Sequence, residues 1–175
     1  MLFIVVDQPH PACVREESLL RKCRFEFGRT GGPGGQHRNR VETAVTIIHE
    51  ATGVKASGTE RRKQFDNRRM AIWRLRMRLA VDVRCRTNPR RHRPSELWDT
   101  RRQGTKLPVN PKNHDYPALL SEALDVIVAR EFDVAGAAGV LGISMSQLAR
   151  LIRHDKRAFG IVNEKRYERG LPPLR

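Results

Sequence analysis

A glycine-rich segment, residues 28–40, holds the residues whose types and spacing are best suited to chemistry. Five of its first eight residues are glycine and one is proline, so we predict a loop, because each glycine inside a helix or strand costs about 1 kcal/mol relative to alanine. Backbone amides at Gly34 and Gly35 can approach a partner that any Cβ would hold away. The segment also carries Arg29, Arg38 and Arg40. Their charge indicates an anionic partner.

Gln36 follows these glycines directly and is the candidate functional side chain of the loop. Its amide has no accessible protonation change near neutral pH, so it cannot act as a general base and can only donate and accept hydrogen bonds. We therefore expect Gln36 to act through its position.

Two known phosphate-binding loops do not fit this segment. A nucleotide-phosphate loop needs Gly-x-x-x-x-Gly-Lys-Ser/Thr, and a dinucleotide fingerprint needs Gly-x-Gly-x-x-Gly at the start of a helix. After Gly35 come Gln36 and His37, with no glycine in either register. A flexible linker is the simplest alternative for a glycine-rich stretch, but the patterned residues downstream argue against it.

The loop and the residues after it resemble one family over roughly sixty residues. The loop reads Gly-Gly-Pro-Gly-Gly-Gln-His-x-Asn, and the residues that continue the resemblance are His37, Asn39, Arg40, Val41, Glu42, Thr43, Ala44, Val45, His49, Thr52, Gly53, Val54, Glu60, Arg61, Asn67, Ala71, Leu75 and Leu79. In order and spacing they resemble the catalytic domain of the class I peptide chain release factor superfamily. Arg40 stands where the family usually has lysine, and Arg38 where valine is common. Both differences keep or add positive charge.

The resemblance implies a peptidyl-tRNA hydrolase that acts on the ribosome, with Gly34, Gly35 and Gln36 as its catalytic residues. The Gln36 amide and side chain would position water in the peptidyl transferase centre, and the implied RNA contacts in the loop are Arg29, His37, Arg38, Asn39 and Arg40. Members of the family that read stop codons carry large domains before the catalytic one, whereas fewer than thirty residues precede this loop. We therefore expect codon-independent ribosome rescue, with stalled ribosomes and large subunits bearing peptidyl-tRNA as alternative targets.

Charge favours a nucleic-acid partner. The 175 residues include 34 Lys and Arg against 19 Asp and Glu, a formal charge of +15. The net charge is +7 over residues 1–83, +6 over 84–116 and +2 over 117–175, so the charge is concentrated where a polyanion such as ribosomal RNA or tRNA would bind. We expect no membrane partner, because no apolar stretch approaches the roughly 18 residues of a spanning helix. We also expect a monomer.

The sequence offers no metal site, cofactor site or nucleophile motif. Cys13, Cys23 and Cys85 are odd in number and lack metal-ligand spacing, so we expect reduced thiols in a cytoplasmic protein. No Gly-x-Ser-x-Gly or His-Glu-x-x-His pattern occurs.

Residues 1–83 have the pattern of a small β-sheet packed on one long helix. Residues 23–27 and 43–48 alternate or are β-branched, and residues 51–53 form a turn into a strand at 54–56. A helix is predicted over about 59–83, with Ala71, Ile72, Leu75 and Leu79 at helical spacing against the sheet. Four arginines on or beside this helix are predicted to contact RNA: Arg61, Arg62, Arg69 and Arg76. A merely solvated helix face is the alternative.

Residues 84–116 have the composition of an extended basic linker. Prolines recur, and the run at 90–93 contributes Arg90, Arg91 and Arg93 as predicted RNA contacts. Trp98 either stacks on a base or packs against a neighbouring side chain.

Residues 117–175 are predicted to be all helical. A glycine turn at Gly142 and a cap at Ser144 resemble a helix-turn-helix, whose second helix carries Gln147, Arg150 and Arg153 as candidate nucleic-acid contacts. Many helical bundles contain such a turn without binding nucleic acid, so this region could bind RNA, DNA, protein or nothing.

The expected fold class is thus α+β, with a catalytic domain at 1–83, a basic linker at 84–116 and a helical domain at 117–175. The alternative function is a nucleic-acid-binding regulator that uses the helix-turn-helix and has no hydrolase activity, which would leave the intact Gly-Gly-Gln unexplained.

Overall fold

The computed structural model describes residues 3–29 and 42–175. Five strands and seven helices follow one another in these residues, in this chain order: β1 (Ile4–Val6), α1 (Glu16–Leu20), β2 (Cys23–Gly28), β3 (Ala44–His49), β4 (Lys55–Gly58), α2 (Gln64–Asp82), β5 (Val83–Cys85), α3 (Glu96–Arg101), α4 (Tyr116–Ala129), α5 (Val134–Val140), α6 (Met145–Arg153) and α7 (Lys156–Tyr167). The protein is therefore a mixed α/β fold with small sheets and several helices.

Strands β2, β3 and β4 form an antiparallel sheet in that order. Val45 and Ile47 of β3 and Ala56 of β4 are buried on the face that packs against α2. The alternation of buried and half-buried residues along β3 has the period of two expected for a strand with one covered face. These strands confirm the hairpin that the sequence predicted.

Helix α2 closes over this sheet. Ala71, Ile72, Leu75 and Leu79 are all buried, as their spacing predicted. The helix begins at Gln64 and not at residue 59, so this part of the prediction was wrong. Before the helix, the Asn67 side chain hydrogen-bonds to the amide and the carbonyl of Arg61, and a Cβ on Gly58 would overlap the backbone carbonyl of Asn67. That close contact packs β4 against the first turn of the helix.

A second sheet was not predicted. Strand β1 pairs in parallel with β5, with Ile4 opposite Val83 and Val6 opposite Cys85. Strand β5 follows α2 without a break, so the second sheet ties the beginning of the chain to the end of the long helix. Such a pairing joins residues about eighty positions apart and leaves no local pattern in the sequence.

Residues 84–116 are not a simply extended linker, which corrects the expectation. They contain the end of β5 and all of α3. Trp98 is fully buried and its Nε1 donates to the Leu141 carbonyl at 2.9 Å, so this tryptophan packs and does not stack on a base. Arg84, counted with the basic linker, is only 3% exposed.

A buried ion pair links this segment to α4. Arg84 Nη1 lies 3.0 Å from Asp125 Oδ1, and the Cys85 amide donates to the same oxygen at 3.1 Å. Burial raises the pKa of Asp125 to about 7, while the charge of Arg84 and the Cys85 amide oppose that shift.

Buried side chains from β3, α2, α4 and α6 belong to one hydrophobic cluster. The division of the chain into three domains therefore stays a prediction.

Helices α5 and α6 meet at 105° around Gly142, whose φ of +67° favours glycine. Within the described residues no single helix is long and apolar enough to span a membrane, and only this bent pair reaches the required length and composition when taken together.

Candidate nucleic-acid interface

The glycine-rich segment connects two paired strand ends. Gly28, the last residue of β2, lies opposite Ala44, the first residue of β3. Arg29 follows β2 and is exposed. The other predicted loop residues lie outside the described part of the chain: Gly34, Gly35, Gln36, His37, Arg38, Asn39 and Arg40. The predicted catalytic segment thus leaves and rejoins the sheet at one end.

The first turn of α2 holds the chain where it returns from this segment. Asn67 is fully buried, and its Nδ2 donates to the carbonyls of Thr43 at 2.7 Å and Arg61 at 2.9 Å. Its Oδ1 accepts from the Arg61 amide at 2.8 Å. Gln64 Nε2 donates to the Glu42 carbonyl at 2.8 Å. One buried amide therefore positions both the start of β3 and the turn that carries Arg61.

Asn67 was not singled out as a site residue from the sequence. The available signal was its place four residues before Ala71, in line with the buried stripe of α2, where an amide must satisfy its hydrogen bonds inside the protein.

An open cleft of about 680 Å³ lies along one side of α2. Three of the four predicted RNA contacts line it, namely Arg61, Arg69 and Arg76. Lys112 and His114 line the same cleft, although they come from the segment after α3. The structure thus brings together basic residues that are more than fifty positions apart in the sequence.

The cations on α2 and just before it differ in what they contact. Arg74 donates to the Ser57 carbonyl at 2.7 Å, Arg78 to Lys55 at 2.6 Å and Arg76 to Ala12 at 3.0 Å. These three hold neighbouring backbone in place, so Arg76 has a structural partner in addition to its position in the cleft.

Four other cations on or just before α2 face solvent. Arg61, Arg62 and Lys63 are exposed in the turn before the helix. Arg69 is also exposed, and its guanidinium lies 5.9 Å from the centre of the Phe65 ring. Arg62 does not line the cleft. This group is the one best placed to meet an external anion.

Three cleft residues were missed by the sequence analysis as contact candidates. Trp73 is 39% exposed and lies beside Arg69 in the cleft, together with Lys112 and His114. The signal for Trp73 was an indole two positions from the buried Ala71 and Leu75, which places it off the apolar stripe. Lys112 and His114 had no comparable signal, because only the tertiary fold brings them to α2.

The basic run between β5 and α3 is anchored to α4. Arg90, Arg91 and Arg93 are exposed, while His92 Nε2 lies 3.2 Å from Glu122 Oε1. Ser95 donates to the same carboxylate from its amide at 2.8 Å and from its hydroxyl at 2.6 Å. The three arginines therefore project from a backbone that Glu122 holds on the helix.

The three predicted contact residues of α6 do not form one surface. Gln147 is half-buried and its Oε1 accepts from the Leu107 amide at 3.4 Å. Gln147 and Arg150 line a second cleft of about 420 Å³ against residues 103–110. Arg153 is outside this cleft, with its guanidinium 5.5 Å from the centre of the Phe159 ring.

The cysteines are not poised for nucleophilic chemistry. All three are free thiols. Burial raises the pKa of Cys23 to about 11 and of Cys85 to about 12, and it also raises that of Cys13. Each is therefore protonated at neutral pH. Residues 3–29 and 42–175 contain no cluster of three His, Cys, Asp or Glu side chains that could hold a metal ion.

Comparison with known proteins identifies relatives of the region that contains the loop and the first cleft. The RF-1 domain model matches residues 19–110. A chloroplastic peptide chain release factor PrfB1 of Arabidopsis thaliana is 51% identical over 57 residues, 33% of this chain and 12% of the relative. Peptide chain release factor 1 of Caldicellulosiruptor saccharolyticus is 46% identical over 66 residues, 38% of this chain and 18% of the relative.

Peptide chain release factor 2 of Treponema pallidum is 37% identical over 78 residues, 45% of this chain and 20% of the relative. The similarity thus spans a fifth or less of the length of these three relatives. The family model, in contrast, matches more than half of this chain. The chain therefore belongs to the RF-1 domain family, within the class I peptide chain release factor superfamily.

Proposed function

We propose that this protein hydrolyses the peptidyl-tRNA ester on stalled ribosomes or on large subunits, without reading a codon. The observation that carries the proposal is the Gly-Gly-Gln segment inside the matched residues 19–110, between the paired ends of β2 and β3. The relatives are named peptide chain release factors, which supports release of a nascent chain as the reaction. A cytoplasmic monomer acting on ribosomal RNA and peptidyl-tRNA is part of the proposal.

In the proposed mechanism Gln36 acts by orientation. Its backbone amide and carboxamide hold the attacking water in line with the ester carbonyl and donate to the developing oxyanion, because the side chain has no proton to gain or lose near neutral pH. Orientation and preorganised donors of this kind lower the activation barrier by several kcal/mol. Gly34 and Gly35 allow the backbone to approach the reacting ester. The ribosome supplies the rest of the site, so little esterase activity is expected from the protein alone.

The exposed cations support contact with RNA. Arg61, Arg62 and Lys63 lie just before α2, close to where the chain returns from the loop through Thr43 and Asn67. Arg90, Arg91 and Arg93 add a second exposed basic run. In our proposal these groups contact ribosomal RNA or tRNA phosphates, while residues 117–175 are available for a further protein or RNA.

Codon independence is the finer part of the proposal. Residues 3–29 form β1, α1 and β2 of the fold that carries the loop. Leu19 and the partly buried Phe25 from this stretch pack into the shared hydrophobic cluster. These residues belong to the scaffold that carries the loop, and release on a message that lacks a stop codon tests codon independence directly.

The test is release of labelled peptide from ribosomes stalled on a message that lacks a stop codon. We expect Gln36→Ala to lower release by at least about a hundredfold, comparable to removing an oxyanion donor. Gln8→Ala is the matched control, because Gln8 is exposed and lines neither cleft, and it should leave release unchanged. A wild-type protein that is inactive on both stalled ribosomes and large subunits bearing peptidyl-tRNA would refute the proposal.

The full chain is the right reagent for this assay. A truncation after Val83 would delete Arg84 together with its partner Asp125, and it would uncover the side of α2 that packs on α4. Point variants at Arg90, Arg91 and Arg93 test the basic run without disturbing that core, because all three side chains are exposed.

The alternative is a nucleic-acid-binding regulator that uses α5 and α6. In its favour, the two helices meet at 105° and the Ser144 hydroxyl accepts from the Gln147 amide at 3.3 Å, a helix cap after a glycine turn. Against it, residues 103–110 line the cleft beside Gln147, and the Ser144 amide donates to the Thr105 carbonyl at 3.0 Å. The start of α6, which would enter a major groove, is therefore partly covered.

Binding to a set of DNA duplexes separates the two functions. The regulator hypothesis requires one duplex to bind in preference to the others and requires Gln147→Ala and Arg150→Ala to weaken that binding. The hydrolase proposal expects no such preference and expects these two variants to release peptide normally.

A further inference from the structure

The cleft beside α2 combines exposed aromatic surface with cations. Phe65, Arg69 and Trp73 are spaced four residues apart along α2, so they lie along one side of the helix. Phe65 is 64% exposed and Trp73 39% exposed. The Arg69 guanidinium lies over the Phe65 ring, and Arg69 and Trp73 both line the cleft. The result is an alternating aromatic and arginine stripe.

Comparison with the other tryptophan shows why Trp73 calls for an explanation. Trp98 is fully buried and its Nε1 donates to the Leu141 carbonyl, so the core accounts for it completely. Trp73 leaves a large part of its indole in contact with water. Removing indole surface from water is favourable, and the cleft leaves room for a ligand that would cover it.

The charges around Trp73 indicate what that group carries. The cleft is lined by Arg61, Arg69, Arg76 and Lys112, against Glu16 and Asp66. Four cations thus face two acids, so a ligand with negative charge is favoured over a neutral or cationic one. A volume of about 680 Å³ falls within the range of small-molecule binding pockets.

We propose that this cleft binds an unpaired RNA nucleotide, with its base stacked on Trp73 and its phosphates contacted by Arg61, Arg69 and Lys112. The proposal rests on the proposed RNA contact of this protein and adds to it a defined site. Bases in a duplex already have both faces covered, whereas an unpaired base can stack on an aromatic side chain. Phe65, next along the helix, offers a second exposed ring to a neighbouring base.

The two tryptophans make the proposal directly measurable. The chain contains only Trp73 and Trp98, and the buried Trp98 is shielded from added ligand. Quenching of intrinsic fluorescence by an oligouridylate of about ten nucleotides therefore reports on Trp73. An abasic ribose-phosphate oligomer of the same length has the charge without the bases. We expect the oligouridylate to quench the fluorescence and the abasic oligomer not to do so.

Variants test the same site by anisotropy of fluorescein-labelled oligouridylate. Trp73→Leu removes the aromatic face but keeps apolar volume, and we expect roughly tenfold weaker binding, as for loss of one base–aromatic stack. Tyr167→Leu is the matched control, because Tyr167 is 84% exposed on α7 outside the cleft. It should bind like wild type. Arg69→Ala should reduce the slope of log affinity against log salt by about 0.7.

Several outcomes would overturn the inference: equal quenching by the abasic oligomer, equal affinity of Trp73→Leu and wild type, or an acidic peptide that competes as well as the RNA. Each of these is compatible with active peptide release, so the site can fail while the proposed function stands. Conversely, release that is indifferent to Gln36→Ala together with stacking on Trp73 would leave an RNA-binding site on a protein with another role.

Discussion

Helix α2 begins after three cations, Arg61, Arg62 and Lys63, whereas α5, α6 and α7 begin after Asp133, Ser144 and Asp155. The last three are side-chain caps: each accepts a hydrogen bond from an amide in the first turn of its helix. Among the described residues no side chain caps α2. The longest helix thus starts directly after three cations and without a side-chain cap, although Asp66 lies in its first turn.

Starting a helix after three cations is expected to reduce its stability. The amino end of a helix carries partial positive charge, so cations there are unfavourable and a capping carboxylate or hydroxyl is favourable. Packing against the sheet and against α4 compensates in α2. The difference teaches that α5, α6 and α7 have helix starts suited to stability, while the residues before α2 keep a charge pattern suited to an external polyanion.

The largest effect on stability is expected from removing the ion pair that joins the segment after α2 to α4. Asp125→Ala leaves Arg84 buried without its partner, and loss of one member of a buried pair costs about 3–5 kcal/mol. Because Arg84 follows α2 and Asp125 lies in α4, we expect the whole chain to lose stability in one transition. Chemical denaturation followed by far-ultraviolet circular dichroism measures this.

The control is the second ion pair between the same regions. Arg157 Nη1 lies 3.1 Å from Asp82 Oδ2, with the Arg157 side chain 47% exposed. Solvent screens such a pair, so Asp82→Ala should cost less than about 1 kcal/mol. Two separate unfolding transitions in wild type, or equal losses in the two variants, would show that the regions are not joined through Arg84.

Lowering the pH tests the first region of the chain through the buried side chain of His10. The Nδ1 atom of His10 accepts from the Ala12 amide at 3.0 Å, so Nε2 carries the proton and donates to the Val83 carbonyl at 2.9 Å. Burial lowers the pKa of His10 to about 4 from its ordinary 6.5, and the charge of Arg84 contributes. The unfolded chain therefore binds this proton more tightly than the folded one. The contribution of neutral His10 to the free energy of unfolding is fully present above about pH 6.5. It is lost as the pH drops toward 4, and the loss is about 3 kcal/mol in total.

The measurement is the free energy of unfolding of wild type and of His10→Gln between about pH 7 and pH 4. Taking the difference between the two proteins cancels the opposite contribution of Asp125, whose raised pKa favours the folded state as the pH falls. Wild type should lose its advantage over the variant on acidification. A difference that stays constant with pH would mean that His10 is not held neutral.

The smallest effects come from exchanging the two kinds of helix start. Lys63 already has extended backbone angles, φ −97° and ψ 131°, which suit a capping residue. Lys63→Asp should therefore stabilise the protein by about 1 kcal/mol, and Asp155→Ala should destabilise it by about the same amount. Thermal unfolding measures both. If Lys63→Asp destabilised the protein, the cationic start of α2 would have a structural role.

The elements predicted correctly are those with a repeating local pattern. Strands β2 and β3 alternate with a period of two, and the buried residues of α2 recur at helical spacing. Both patterns record which face of an element meets the core. The start of α2 was misplaced because local propensity could not reveal that the Asn67 side chain holds the Arg61 backbone in a turn before the helix.

The candidate site was accessible from the sequence only in part. The glycine-rich motif named the proposed catalytic loop, and the spacing of seven residues named Arg62, Arg69 and Arg76, with Arg61 beside them. The catalytic role of the loop and the RNA contacts stay predictions. Lys112, His114 and the exposure of Trp73 came from the tertiary structure, because residues distant in the chain meet only after folding.

What the sequence by itself determined is the family, the basic character and the local strands and helices, because each depends on residue type and short-range spacing. Only the tertiary structure decided which charges are available. It buried Arg84 against Asp125, directed Arg74, Arg76 and Arg78 to backbone carbonyls and left Arg61 and Arg69 in a cleft with Trp73. An arginine costs much free energy to bury unpaired, so long-range packing, which no local pattern encodes, decides its role.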